Sequence, residues 1–81
     1  MTLFTKKGCK KCSYIKKQIP SHLNVKTYDV QTAEGLAELA YRELVLTAEK
    51  ALPILVHGEK VITGAINIKR EILRYSFKYE G

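Results

Sequence analysis

Cys9 and Cys12 are separated by two residues, and they are the only cysteines in the 81-residue chain. They follow a short apolar segment and open a stretch with helical periodicity, so we expect Cys9 at or next to a helix N-terminus. Unpaired backbone amides and the positive end of the helix dipole stabilise a thiolate at that place. The spacing therefore predicts thiol–disulfide exchange, with Cys9 as the nucleophile and Cys12 as the resolving thiol.

Lys10 and Lys11 stand between the two cysteines. Cations at a helix N-terminus oppose the dipole and typically cost about 0.3–1 kcal/mol each when they are exposed. The same charges favour a neighbouring anion, so we expect Lys10 and Lys11 to stabilise the Cys9 thiolate. The pattern predicts a pKa of Cys9 below that of a free thiol.

The net charge of +6 is concentrated around the cysteines. Residues 1–30 contain seven lysines and one aspartate, whereas the seven basic and seven acidic residues of 31–81 cancel. This distribution predicts partner proteins that are acidic at the contact and that associate in a salt-dependent way. Lysines near an aromatic residue, here Tyr14, also occur in nucleic-acid-binding modules, but no nucleic-acid motif accompanies them and we expect no nucleic-acid partner.

The length and composition predict one globular domain over residues 1–81, since 46% of the residues are hydrophobic and only two are proline. The first residues lack the charged and long apolar regions of a signal peptide, and no apolar run approaches the roughly 20 residues of a membrane span. We expect a cytoplasmic protein with no membrane partner. In that compartment a close cysteine pair is typical of catalysis or metal binding rather than of a structural disulfide.

The apolar and turn patterns predict an α/β domain with the element order βαβαββα. A βαβ crossover makes the first two strands parallel, and a tight turn at Gly58 makes the last two antiparallel. The result is a four-stranded mixed sheet with three helices covering its faces. Strands are expected at 2–5, 24–30, 52–56 and 60–63, and helices from Cys12 to Ile19, from an N-cap at Thr32 to an end between 44 and 50, and after Gly64.

Two helical stripes form the predicted core, together with the strands. On the middle helix the apolar face comprises Leu36, Leu39, Ala40 and Leu44, and on the last helix the stripe comprises Ala65, Ile68, Ile72, Tyr75 and Tyr79.

The chain resembles the glutaredoxin/thioredoxin superfamily over essentially its whole length. The features that carry the resemblance are segment 6–12, segment 52–64 and the element order. From Pro53 to Gly64 the sequence follows the glutaredoxin pattern of proline, apolar strand, glycine turn, apolar strand and glycine. The resemblance implies a thioredoxin fold with sheet order 2-1-3-4 and a cis-Pro53 that faces the cysteine pair. It also implies substrate binding by the backbone of Leu52, by the region around Gly64 and by Lys6, which matches the lysine that glutaredoxins use for the glutathione carboxylate.

The chain departs from the family pattern within the motifs. Lys10-Lys11 replaces the Pro-Tyr of glutaredoxins and the Gly-Pro of thioredoxins, and Leu52 replaces the usual valine, threonine or isoleucine. Ile66 and Asn67 stand where glutaredoxins often carry paired aspartates for the glutathione amino group. Two electron donors therefore stay open, glutathione and an enzyme of the thioredoxin reductase type, and no bound cofactor is expected.

Metal or iron–sulfur cluster binding through Cys9 and Cys12 is the alternative function. A structural zinc site needs four ligands, and His22 and His57 lie at no recognised spacing, so each is expected to be an ordinary loop residue. No metal site is predicted within one chain, but a cluster shared by two subunits stays open.

Overall fold

A computed structural model describes the backbone of residues 1–80 and the side chains of residues 1–75. This part of the chain forms an α/β structure, as the sequence predicts, with four strands and four helices. Their bounds are β1 (Thr2–Thr5), α1 (Lys10–Gln18), β2 (Lys26–Asp29), α2 (Ala33–Tyr41), α3 (Val45–Lys50), β3 (Ile54–His57), β4 (Lys60–Thr63) and α4 (Ala65–Glu80).

The strands form one mixed sheet in the order β2-β1-β3-β4. β1 pairs in parallel with β2 and antiparallel with β3, and β3 pairs antiparallel with β4. The predicted four-stranded sheet and its 2-1-3-4 order are thus confirmed. The order places the end of β1, from which the cysteine loop leaves, at the centre of the sheet.

The sheet is covered on both faces because successive side chains of a strand point to opposite sides. Leu3 of β1 packs with α1 and α4, whereas Phe4 packs with α2 and the start of α3. The first core contains Leu3, Ile15, Leu23, Leu55, Ile68 and Ile72, with Ala65 and Tyr75 against it, and the second contains Phe4, Leu39, Leu44, Ile54 and Val56. The predicted stripe of α4 is confirmed at its first four positions, and Tyr79 lies outside the residues whose side chains are described.

The expectation of three helices was wrong, because the segment after the second helix forms a separate helix, α3. Glu43 adopts the left-handed conformation, with φ of 59°. Its N–H donates to the carbonyl of Ala40 at 3.1 Å, and the N–H of Leu44 donates to the carbonyl of Leu39 at 2.9 Å. These two bonds form a Schellman motif, which normally has glycine in the position of Glu43. Because glutamate replaces this glycine, the sequence does not indicate where the helix ends.

Replacing Glu43 by glycine is therefore expected to stabilise the protein. Glycine adopts the left-handed conformation without the cost that a Cβ imposes, so the free energy of unfolding should rise by about 0.5–1 kcal/mol despite the greater freedom of the unfolded chain. Urea unfolding measures the change, and Glu43→Ala, which removes the carboxylate but keeps the Cβ, is the control. Equal stability of the two variants would contradict this explanation of the helix end.

The apolar face predicted for the middle helix is only half confirmed. Leu39 and Leu44 are buried, but Leu36 is 51% exposed and Ala40 also faces solvent. The reason is the close approach of α2 to the end of β2 through Gly35, where an added Cβ would overlap the carbonyl oxygen of Asp29. Because Gly35 and Leu39 face the sheet, the side chain of Leu36 lies at the edge of the buried face of α2.

Candidate functional site

The cysteine loop joins the buried end of β1 to α1. Gly8 has a positive φ of 78°, a conformation that glycine adopts without strain and that turns the chain into the helix. The N–H of Cys9 donates to the carbonyl of Lys6 at 3.3 Å, and the Cys9 carbonyl accepts from the N–H of Ser13 at 3.1 Å. Cys9 is thus held between a short turn and the first hydrogen bond of the helix.

Cys9 is the N-cap of α1, as its position in the sequence predicts. Its Sγ accepts a hydrogen bond from the backbone N–H of Cys12 at 3.2 Å, where serine, threonine or aspartate usually supplies an oxygen. Cys9 is partly exposed, whereas Cys12, one turn into the helix, is only 1% exposed. Both thiols are free, and solvent reaches one of them far more readily than the other.

The pKa of the Cys9 thiol is lowered. Its partial burial acts in the opposite direction, but hydrogen bonds from the Cys12 thiol and from the amides of Cys12 and Lys11 outweigh it, and the charge of Lys11 adds to them. The direction agrees with the expectation from the sequence.

The pKa of the Cys12 thiol is raised to about 11. Burial is the main cause, and both its hydrogen bond to Cys9 and the negative charge that Cys9 acquires hold the proton on Cys12. The two thiols therefore differ in acidity, and the partly exposed Cys9 ionises more readily than the buried Cys12. Such a pair has the chemistry of an attacking thiolate backed by a protonated second thiol.

Lys11 is expected to contribute to the reactivity of Cys9. Replacing Lys11 by glutamine removes the adjacent cation, so the pKa of Cys9 should rise and its alkylation at neutral pH should slow about two- to fivefold, the equivalent of one exposed charge at a helix end. The rate of Cys9 modification by iodoacetamide, followed by mass spectrometry, measures this. Lys10→Gln is the matched control and should have the smaller effect, and a larger loss in Lys10→Gln would contradict the assignment to Lys11.

Three of the sequence-predicted site residues line one groove of about 420 Å³, namely Lys6, Cys9 and Leu52. The Leu52–Pro53 peptide bond is cis, as the family resemblance implies, and Pro53 is buried. Cys9 and the residue before the cis-proline thus face the same space.

Two other predicted site residues, Lys10 and Gly64, lie outside this groove. Lys10 belongs to a second groove of about 410 Å³ on the helix side of Cys9, with Tyr14 and Lys17. Gly64 lines a third space of about 390 Å³, together with Lys11. Gly64 therefore does not border the groove that holds Cys9 and Leu52.

The helix α3 contributes residues to the groove that the sequence pattern does not indicate. Ala48, Glu49 and Lys50 line the groove opposite Lys6 and Lys7. No residue type in this segment signals a site, and only the placement of α3 against the cysteine loop brings it there.

His57 is not the ordinary loop residue expected from the sequence. It ends β3, its Nδ1 lies 2.9 Å from Oε2 of the buried Glu71, and its ring meets that of Tyr75 edge-on at 4.8 Å between centroids. The hydrogen bond to His57 lowers the pKa of Glu71. The contact joins the end of β3 to α4, and neither His57 nor Glu71 lines the grooves at Cys9.

The part of the chain that the structure describes contains no group of three or more histidine, cysteine, aspartate or glutamate side chains placed to hold a metal ion. None of its helices combines the length and the apolar character needed to cross a membrane.

Comparisons of the chain with protein-family models, with characterised proteins and with solved structures give no match.

Proposed function

We propose that this protein is a small thiol–disulfide oxidoreductase of the glutaredoxin/thioredoxin superfamily that reduces protein disulfides. The observation that carries the proposal is the opposite shift of two neighbouring thiols, with the pKa lowered at the partly exposed Cys9 and raised to about 11 at the buried Cys12. A structural cysteine pair has no need of this asymmetry, whereas dithiol exchange uses both halves of it.

The architecture supports a thioredoxin fold for the domain. The parallel β1–β2 unit, the antiparallel β3–β4 hairpin and the sheet order β2-β1-β3-β4 are those that the resemblance implies. A cis peptide bond before Pro53 and a cysteine cap at α1 occur in the corresponding places. The short helix α3 is an addition to the three helices that the sequence indicated.

The chemistry follows from the difference in acidity between the two thiols. The Cys9 thiolate attacks one sulfur of a target disulfide, forms a mixed disulfide and releases the other target sulfur as a thiolate, which takes a proton from water. Cys12 then loses its proton and attacks Sγ of Cys9, which breaks the mixed disulfide and releases the second target thiol. The target gains two electrons and the protein acquires a Cys9–Cys12 disulfide.

The oxidised pair must be reduced again by a dithiol or by two molecules of a thiol. Lys6, Lys7 and Lys50 give the groove of Cys9 cations that suit the carboxylates of glutathione, and Leu52 presents the backbone next to them. We propose glutathione or a reductase of the thioredoxin reductase type as donor, in the cytoplasm. Insulin reduction driven by each donor system separates the two, since activity with one alone identifies it.

Equilibration of the folded protein in mixtures of reduced and oxidised dithiothreitol tests the function itself. We expect a reversible change of two mass units that maps to a bond between Cys9 and Cys12. A Cys12→Ser variant, the control, should show no internal bond. A wild-type protein that forms only disulfides between chains, or none, would refute the proposal.

A further inference from the structure

Two grooves meet at Cys9, one lined by residues of α3 and the other by residues of α1. The groove lined by Cys9 and Leu52 adjoins a space of about 410 Å³ that extends to α2. The residues that line both are Lys6, Ala48, Glu49 and Leu52. On its other side Cys9 also lines the groove that runs along α1. A chain segment that presents a sulfur to Cys9 therefore has a surface for its residues on both sides.

The space toward α2, here called the apolar arm, is lined mainly by aliphatic side chains. Its walls are formed by Val30, Leu36, Leu39, Val45, Ala48 and Leu52, with Lys6, Gln31 and Glu49 at its polar positions. Leu36 is 51% exposed in this arm, which leaves apolar surface available for contact. Burying that surface under a substrate side chain is favourable.

The groove along α1, here called the cationic arm, has the opposite character. It is lined by Gly8, Cys9, Lys10, Ser13, Tyr14 and Lys17, and none of these residues carries a carboxylate. Nζ of Lys69 adds a third cation, 3.0 Å from the hydroxyl of Tyr14. An acidic side chain is therefore the complement of this arm.

We propose that the substrates are protein segments in which the disulfide cysteine has an apolar residue on one side and acidic residues on the other. This rests on the proposed function, because both arms act through the sulfur of Cys9. The apolar arm takes the apolar side chain and the cationic arm takes the carboxylates. A small disulfide that fills neither arm makes no favourable contacts with them.

Short peptides with one cysteine, carried as a mixed disulfide with thionitrobenzoate, test the proposal. Cys9 forms a bond to the peptide sulfur and thionitrobenzoate leaves as a coloured thiolate, after which Cys12 releases the peptide thiol. The peptides carry leucine before and aspartates after the cysteine, the reverse order, or only serine and glutamine. One of the two peptides that contain both leucine and aspartates is expected to react about tenfold faster than the peptide with only serine and glutamine, at low ionic strength.

Matched variants show which arm causes each part of the rate increase. Leu36→Gln should remove the advantage of leucine but keep that of aspartate, and Lys17→Gln should do the reverse. The controls are Leu73→Gln on α4, where the leucine is 42% exposed, and Lys60→Gln on β4, and both should keep the full preference. Neither control residue lines either arm.

The small uncharged disulfide of 2-mercaptoethanol separates this inference from the proposed function. If it oxidises the Cys9–Cys12 pair while all peptides react within about twofold of one another, the two-arm specificity is wrong and the function stands. A preference that survives both Leu36→Gln and Lys17→Gln would also overturn it. Failure of every disulfide to react would overturn the proposed function and the substrate inference together.

Discussion

Replacing Cys9 by serine is expected to lower the rate of disulfide reduction by at least about a thousandfold, because a hydroxyl does not replace a thiolate as the attacking group. Cys9 is the partly exposed thiol with the lowered pKa, and Cys12 is buried with its pKa raised to about 11. Cys12 therefore does not substitute for Cys9 at neutral pH. Stopped-flow kinetics with a chromogenic disulfide measures the loss.

The partner variant, Cys12→Ser, is expected to behave differently. Its Cys9 still attacks, so one equivalent of leaving thiol should appear rapidly, and a mixed disulfide at position 9 should then persist. Mass spectrometry detects this adduct, and Gln18→Ala, a change at the last residue of the same helix that lines neither arm, should turn over like the wild type. An adduct that accumulates on Cys12 in the Cys9→Ser variant would show that the roles are reversed.

Gly35→Ala is expected to destabilise the protein strongly, although alanine is the better helix former. An added Cβ would overlap the carbonyl oxygen of Asp29, which already accepts bonds from the N–H and the hydroxyl of Thr32 at 3.1 and 2.8 Å. The Thr32 hydroxyl in turn caps α2 by accepting from the N–H of Gly35 at 3.0 Å. Overpacking of this kind costs about 1–3 kcal/mol, which lowers the melting temperature by about 4–8 °C for each kcal/mol in a domain of this size.

The reverse substitution on the exposed side of the same helix calibrates that result. Ala37→Gly adds no steric conflict and is expected to cost about 0.5–1 kcal/mol from helix propensity alone. If Gly35→Ala instead raised the melting temperature, α2 would not approach β2 as closely as the structure shows. Thermal unfolding followed by circular dichroism measures both variants.

Local chemistry made the centre of the candidate site predictable. The position of Cys9 before a helical repeat is sufficient to indicate an N-cap, and the structure places its Sγ 3.2 Å from the N–H of Cys12. The strands were predictable for a similar reason, since β1 spans Thr2–Thr5 and β4 spans Lys60–Thr63, the ranges that the apolar pattern indicates. Helix caps and individual strands depend on residues close in sequence or on a two-residue repeat.

Features that depend on tertiary placement were not predictable. The helix break at Glu43 lacks the glycine that normally signals it, so α3 was missed, and with it the groove residues Ala48 and Glu49. Leu36 fits the apolar repeat of α2 but lies at the rim, because Gly35 occupies the point of closest approach to β2. The contact of His57 with Glu71 likewise joins elements whose neighbourhood no local pattern reveals.

The pH dependence of alkylation of the two thiols tests the central claim most directly. Iodoacetamide reacts with the thiolate, so the modification rate of each cysteine, resolved by mass spectrometry, follows its ionisation. We predict a midpoint for Cys9 below the value of about 8.5 of a free thiol and almost no modification of Cys12 in the same range. A Cys9 midpoint at or above the free-thiol value, or equal rates for both cysteines, would contradict the proposed mechanism.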